Sequence, residues 1–209
     1  MADRVTDNGH AGIFPYRALT VFIPFFIAAV LIVVLAVTLP EADFLLMLGL
    51  IAAYLLPPSG KEMVIPIGIA LGIPFWYMAL SIVMIDVITG LFMALNFDLA
   101  YRITYLGSLL SAFTRKTEQF ILGHRWLAGL WFFSIVLMVM VPILGSGGIR
   151  GSVAGKLLGL STPLTFLAIL AGSLIGCFAI ALGSEALLTY LCAGGMVPAG
   201  ITARVCGGV

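Results

Sequence analysis

The sequence predicts an all-α integral membrane protein built as two inverted repeats behind one extra N-terminal transmembrane helix. Each repeat is a broken, re-entrant helical hairpin followed by a transmembrane span. Three observations carry that expectation. The 209 residues are 62% hydrophobic and only 9% charged, with a mean hydropathy of +1.22; a soluble domain carries about 25% charged residues, so this composition cannot build a water-facing surface. Charged breaks rich in proline or glycine interrupt the apolar runs twice, at PPSGKE (57–62) and GSGGIR (145–150). Finally, a shift of 87 superposes Ser59 on Ser146, Gly60 on Gly147, Gly68 on Gly155, Gly72 on Gly159 and Asp98 on Glu185.

Residues 1–17 are polar (Asp3, Arg4, Asp7, His10) and read as a cytoplasmic tail. The apolar run 18–39, about 22 residues, exceeds the roughly 7–15 of a signal h-region and has no small-x-small site before Glu41, so it reads as a retained span kinked at Pro24. Residues 44–56 would make a helix of about 20 Å, short of the roughly 30 Å hydrocarbon core. Pro57 and Pro58 break it, and Lys61-Glu62 follow where charge is costly. A second short piece, 64–73, ends at Pro74; down, break and back describes a re-entrant hairpin. The span 75–95, with Asp86 near its middle, completes the first repeat (44–95). Residues 96–125 form a polar linker with Arg102, Arg115, Lys116, Glu118, His124 and Arg125. The second repeat (126–182) has an apolar run 126–143, a break 144–148, a short piece 149–160 ending at Ser161-Thr162-Pro163, and a span 164–182. The run 126–143, about 18 residues, is also long enough to cross outright. Residues 187–202 read as a last transmembrane segment in this single membrane domain, 1–209.

Charge sets the expected orientation. Four of the ten Lys/Arg residues lie in 102–125, which marks that linker as cytoplasmic, and Arg4 and Arg17 put the N-terminus on the same side. The first helix then exits at Glu41 and Asp43, the hairpins dip in from opposite faces, and the last segment returns with Arg204 inside. Both termini are therefore expected in the cytoplasm of a plasma-membrane protein. Two such hairpins meeting near the midplane follow the inverted-repeat logic of secondary transporters. Net charge +1 offers no basic face for nucleic acid. Cys177, Cys192 and Cys206 are odd in number and form no CxxC, so neither a disulfide framework nor a zinc site is expected. Without HExxH, GxSxG or a Walker A loop, the chain is expected to be no enzyme and to hold no cofactor or metal.

The candidate pathway residues are Lys61, Glu62, Asp86 and Arg150. Glu62 can bind and release a proton as access alternates, tuned by Lys61 or Arg150, because burial favours a neutral acid and a nearby cation a charged one. The plain alternative is a snorkelling Lys61 paired with Glu62. Asp86 reads equally as a proton relay or Arg150 counter-ion and as an interhelical contact using Ser81 or Thr89. The breaks at Ser59-Gly60 and Gly145-Ser146-Gly147-Gly148 present consecutive N–H groups at a helix start, an anion nest to which Arg150 adds a phosphate or carboxylate partner. Glycines that merely let helices approach are the plain alternative. Lys156, Asp98, Glu185, His124, Trp126, Trp131 and Tyr101 read as interfacial.

The stretches PPSGKEMVIPIGIALGIP, ALNFDLAYRITYLG and PILGSGGIRGSVAGKLLGL resemble the small multidrug export proteins of archaea and bacteria, themselves distantly similar to DedA-like membrane proteins. The likeness runs from about residue 44 to 183. Bacterial members carry an acid and then an arginine before the first Ile-Pro; here Gly60, Lys61, Glu62 and Met63 precede Ile65-Pro66, so that arginine has no counterpart. The resemblance implies a small membrane transporter, and its DedA side implies lipid-phosphate or proton-coupled transport. The expectation is a secondary transporter or exporter, coupled to protons through Glu62 or Asp86, of a small-molecule or drug-like substrate. A flippase or scramblase for anionic lipid and a non-transporting membrane-complex subunit are the alternatives. The expected partners are membrane lipid, the substrate and a second copy in a homodimer.

Overall fold

The computed structural model describes residues 13–56, 59–100, 125–141, 147–195 and 206, and the ordered elements among them are all helical. The helices are α1 (Ile13–Thr38), α2 (Glu41–Leu55), α3 (Lys61–Ala70), α4 (Phe75–Ala100), α5 (Arg125–Met140), α6 (Gly147–Leu157) and α7 (Thr162–Ala193). Three are long and apolar enough to cross a membrane: Thr20–Thr38 within α1, Phe75–Asn96 within α4, and Thr162–Ala193. The span in α4 is 61% buried and that in α1 only 11%. Thus α4 is the central post, and α1 turns Phe22, Phe26, Val33 and Val37 outward, an apolar face suited to lipid.

The other four helices are short. At 1.5 Å per residue α2 and α5 reach about 22 and 24 Å and α3 and α6 about 15 and 16 Å, none spanning a core of about 30 Å. One apolar core joins α2, α3, α4 and α7 through Met47, Tyr54, Ile65, Met78, Ile82 and Cys177; a smaller one joins α5 to α7 through Ile135, Val139 and Ile169.

Two short helices end alike at the 87-residue spacing read from the sequence. Short helix α3 ends at Gly72 (φ +99°) and α6 ends 87 residues later at Gly159 (φ +71°), in the left-handed region that only glycine adopts without strain. Each closes with the same pair of reversed bonds: Ile73 N–H to Gly68 O and Gly72 N–H to Ile69 O, then Leu160 N–H to Gly155 O and Gly159 N–H to Lys156 O. This helix-ending motif satisfies carbonyls that would otherwise lack a donor, and the residue that follows, Ile73 or Leu160, is buried. Packing repeats as well. A Cβ on Gly68 would meet Met78 and one on Gly155 would meet Thr165, again 87 apart.

Several boundaries differ from the sequence reading. Glu41 and Asp43 lie in the first turn of α2, where acids favour the dipole, instead of in a preceding turn. Helix α3 begins at Lys61 and α4 runs on to Ala100, so Asn96 is helical and not linker. Helix α5 stops at Met140, so the run 126–143 does not cross as one helix. The largest correction is α7, which continues without a break from Thr162 through Gly183 and Glu185 to Ala193. A glycine within a helix costs only about 1 kcal/mol, and Ser184 and Thr189 bond back to the carbonyls of Ile180 and Glu185. Residues 187–193 thus extend the span at 164–182 and do not start a separate crossing. Cys192 is disulfide-bonded to Cys206, a pairing the odd cysteine count did not suggest. The tail 1–12, Pro57, Pro58, the linker 101–124 and the remainder of 196–202 lie outside the described residues.

Candidate functional site

Asp86 sits on α4 with no exposed surface. A buried carboxylate is tolerable only when its oxygens are hydrogen-bonded, and donors converge on it from three other helices. The Tyr54 hydroxyl of α2 donates to Oδ1 at 2.5 Å. The Gly148 N–H at the start of α6 donates to the same oxygen at 3.1 Å. The Ser173 hydroxyl of α7 donates to Oδ2. The Gly147 N–H in turn donates to the Tyr54 hydroxyl at 3.3 Å. The first N–H groups of a helix have no partner within it, and the dipole there favours negative charge. Asp86 and Tyr54 therefore cap α6 from neighbouring helices. Asp86 and Ser173 are themselves 87 residues apart, the shift read from the sequence.

Lys61 is the complement. It is 2% exposed, so it does not snorkel, and its ammonium donates to the Val139 carbonyl of α5. Val139 is next to the last residue of α5, where carbonyls lack helical donors and cations are favoured. Gly176 of α7 leaves the room, since a Cβ there would lie 2.9 Å from Nζ. Thus the acid caps the beginning of one short helix and the amine caps the end of the helix before it. The reduced thiol of Cys177, buried on α7, lies within electrostatic range of both Lys61 and Asp86.

The nest predicted at the second break is present in part. Gly147 and Gly148 do turn their N–H groups toward an anion, but that anion is the protein's own Asp86 carboxylate, with Tyr54 beside it. The packing reading of these glycines holds too, as a Cβ on Gly148 would meet the Asp86 backbone oxygen at 1.9 Å. Arg150 is half-buried on the first turn of α6. Glu62 does not join the cluster. Its carboxylate folds back over Gly60, where a Cβ would meet Oε2 at 2.2 Å, and Oε2 is buried with no hydrogen-bond partner among the described residues. Ser59 is half-buried between α2 and α3. Lys156 donates to the Thr162 hydroxyl at 2.8 Å, which ties α6 to α7. Gly145 and Ser146 lie outside the described residues.

The structure therefore brings together Lys61, Asp86, Gly147 and Gly148 and leaves Glu62 apart. Sequence reasoning missed Tyr54, Ser173, Gly176 and Cys177. Two of these left a signal: Tyr54 is the one polar side chain in 44–56, and Ser173 stands at the repeat spacing from Asp86.

No curated protein and no solved structure matches the chain. The family described as "Putative small multi-drug export protein" matches residues 62–179. That range runs from α3 into α7 and takes in Asp86, Gly147, Gly148 and Ser173. With more than half of its length matched, the chain belongs to this family.

Proposed function

We propose that the chain is a small secondary transporter whose coupling proton binds at Asp86, between two inverted repeats that each contain a re-entrant hairpin. The observation that carries this reading is a single buried carboxylate holding α2, α4, α6 and α7 together. Protonation on Oδ1 turns an acceptor into a donor. The Tyr54 hydroxyl can rotate to accept that proton, while the now neutral oxygen keeps a lone pair for the Gly148 N–H but loses the charge that strengthened the bond, which loosens α6 from α4. Broken helices whose termini meet at buried polar groups are the usual site architecture of such transporters. Asp86 is preferred to Glu62 as the proton site because the Glu62 carboxylate joins no two helices among the described residues. The family description adds small molecules as the class of cargo.

In proteoliposomes under an imposed pH gradient, the native chain should take up members of a panel of neutral and cationic fluorescent drugs. Asp86→Asn should lower that uptake at least about tenfold, equivalent to 1.4 kcal/mol, whereas Glu62→Gln should retain it. Gradient-following uptake in Asp86→Asn overturns the assignment.

Orientation follows from parity. With α1, α4 and α7 taken as the full crossings, the three long apolar helices among the described residues, residues preceding α1 and following α7 lie on opposite faces. The basic stretch 102–125 assigns the N-terminal side to the cytoplasm, which puts the Cys192–Cys206 disulfide on the outer, oxidising face where such bonds persist. On this reading the C-terminal side is external, where Arg204 alone suggested the cytoplasm. In intact cells treated with a membrane-impermeant phosphine and then an impermeant maleimide, Cys192 and Cys206 should label. Labelling that requires permeabilisation but no reductant refutes this orientation.

A further inference from the structure

Pro24 has no N–H, so the Thr20 carbonyl of α1 has no helical donor. Asn96 of α4 supplies one, donating through Nδ2 at 3.2 Å, with the Thr20 hydroxyl 3.5 Å from its Oδ1. This clasp pins α1 to α4 one turn before Pro24. Beyond it the helices enclose a cavity of about 290 Å3 lined by Pro24, Phe25, Ile88, Thr89, Phe92 and Ile149 among others, near the lower end of ligand-pocket volumes, about 300–1,000 Å3. Phe25, 62% exposed, stands at its lipid-facing edge and meets Phe92 edge-on at 5.9 Å.

We infer that this cavity is the cargo site and that it takes an uncharged, apolar small molecule drawn from the bilayer. Thr89 is the one polar residue in the lining, and its hydroxyl donates to the Ile85 carbonyl of its own helix. No carboxylate lines the cavity among the described residues, and a cation moved there from water would go uncompensated. The phenyl pair offers faces and edges to a ring. Cavity and carboxylate also share walls: Thr89 is one turn from Asp86, and Ile149 follows Gly148, whose N–H binds Asp86. Movement of α6 at Gly148 therefore reshapes the cavity. This inference rests on the transport reading above for the word cargo, but its test needs no transport.

The test is photolabelling of the full chain in lipid nanodiscs without any gradient, with labelled residues mapped by mass spectrometry. A neutral trifluoromethyl-phenyl diazirine should mark Phe25, Ile88, Phe92 and Ile149. Ala28 and Met93 also line the cavity: Ala28→Phe, which places a ring in it from α1, should reduce that labelling about tenfold or more, and Met93→Trp is a second filling variant should the first not fold. A trimethylammonium derivative of the same probe should leave these residues unmarked. Equal labelling by the cationic probe overturns the inference. So does equal labelling by a phospholipid carrying the diazirine in its acyl chain, which makes the occupant a lipid tail. Labelling spread over all exposed apolar faces and unaffected by both filling variants also overturns it. Neutral-probe labelling without gradient-driven uptake leaves the site standing and sinks only the transport reading. Uptake without such labelling does the reverse.

Discussion

Gly148→Ala should leave little folded protein. The added Cβ would lie 1.9 Å from the Asp86 backbone oxygen and 2.8 Å from the Thr89 hydroxyl. The first is backbone and cannot swing away, so the start of α6 has to lift off α4. Overpacking alone costs typically 1–3 kcal/mol. Lifting α6 also breaks the Gly148 N–H bond to the carboxylate, and a bond to a charged group contributes about 1.5–3 kcal/mol. A total on the order of 3–5 kcal/mol is enough to unfold many proteins. The matched control is Gly183→Ala in α7, where a new Cβ meets no heavy atom within 4 Å; it should be neutral or gain up to about 1 kcal/mol from helix propensity. Thermal unfolding in detergent with size-exclusion recovery decides the matter. Equal behaviour of the two variants would show that α6 does not press on α4 as closely as described.

The second large effect is expected at Lys61. Lys61→Met keeps a long side chain but removes the buried ammonium and orphans the Val139 carbonyl. Leaving that buried carbonyl without its donor costs about 1–3 kcal/mol. Asp86→Asn should be destabilising alone, yet the double variant should be more stable than the sum of the singles predicts by at least about 1 kcal/mol, since neither charge is then stranded. Denaturation of all four proteins under one set of conditions completes the cycle. Additivity within about 0.5 kcal/mol would mean that the charges act independently.

Much of the architecture was legible because its causes are local. Helix α2 stops before the paired prolines at 57–58 and α6 opens on the glycines at 147–148, and apolar runs too short to cross are short whatever they pack against. Gly72 and Gly159 stood at the repeat spacing, and the structure gives both the left-handed conformation. Asp86 was readable as a site because a carboxylate within an apolar run requires an explanation. Glu62 turns back over Gly60, a direction that charge at a break does not fix in advance. The break imagined between residues 182 and 187 failed for a related reason. Gly183 and Glu185 only weaken a helix, and with Ser184 and Thr189 bonding to its own carbonyls the helix continues.

The pattern of apolar and polar residues settled where helices begin and fail, because each such choice depends on a few neighbouring residues. Partnership was settled by packing. Lys61 binds the carbonyl of Val139, and every residue carries a carbonyl, so no side chain advertises that contact in advance. The Gly148 N–H reaches Asp86 because four helices crowd around one point, and the two residues stand 62 positions apart. Local chemistry wrote the list of helices, and the long-range fit among them made a site of one acid and one amine.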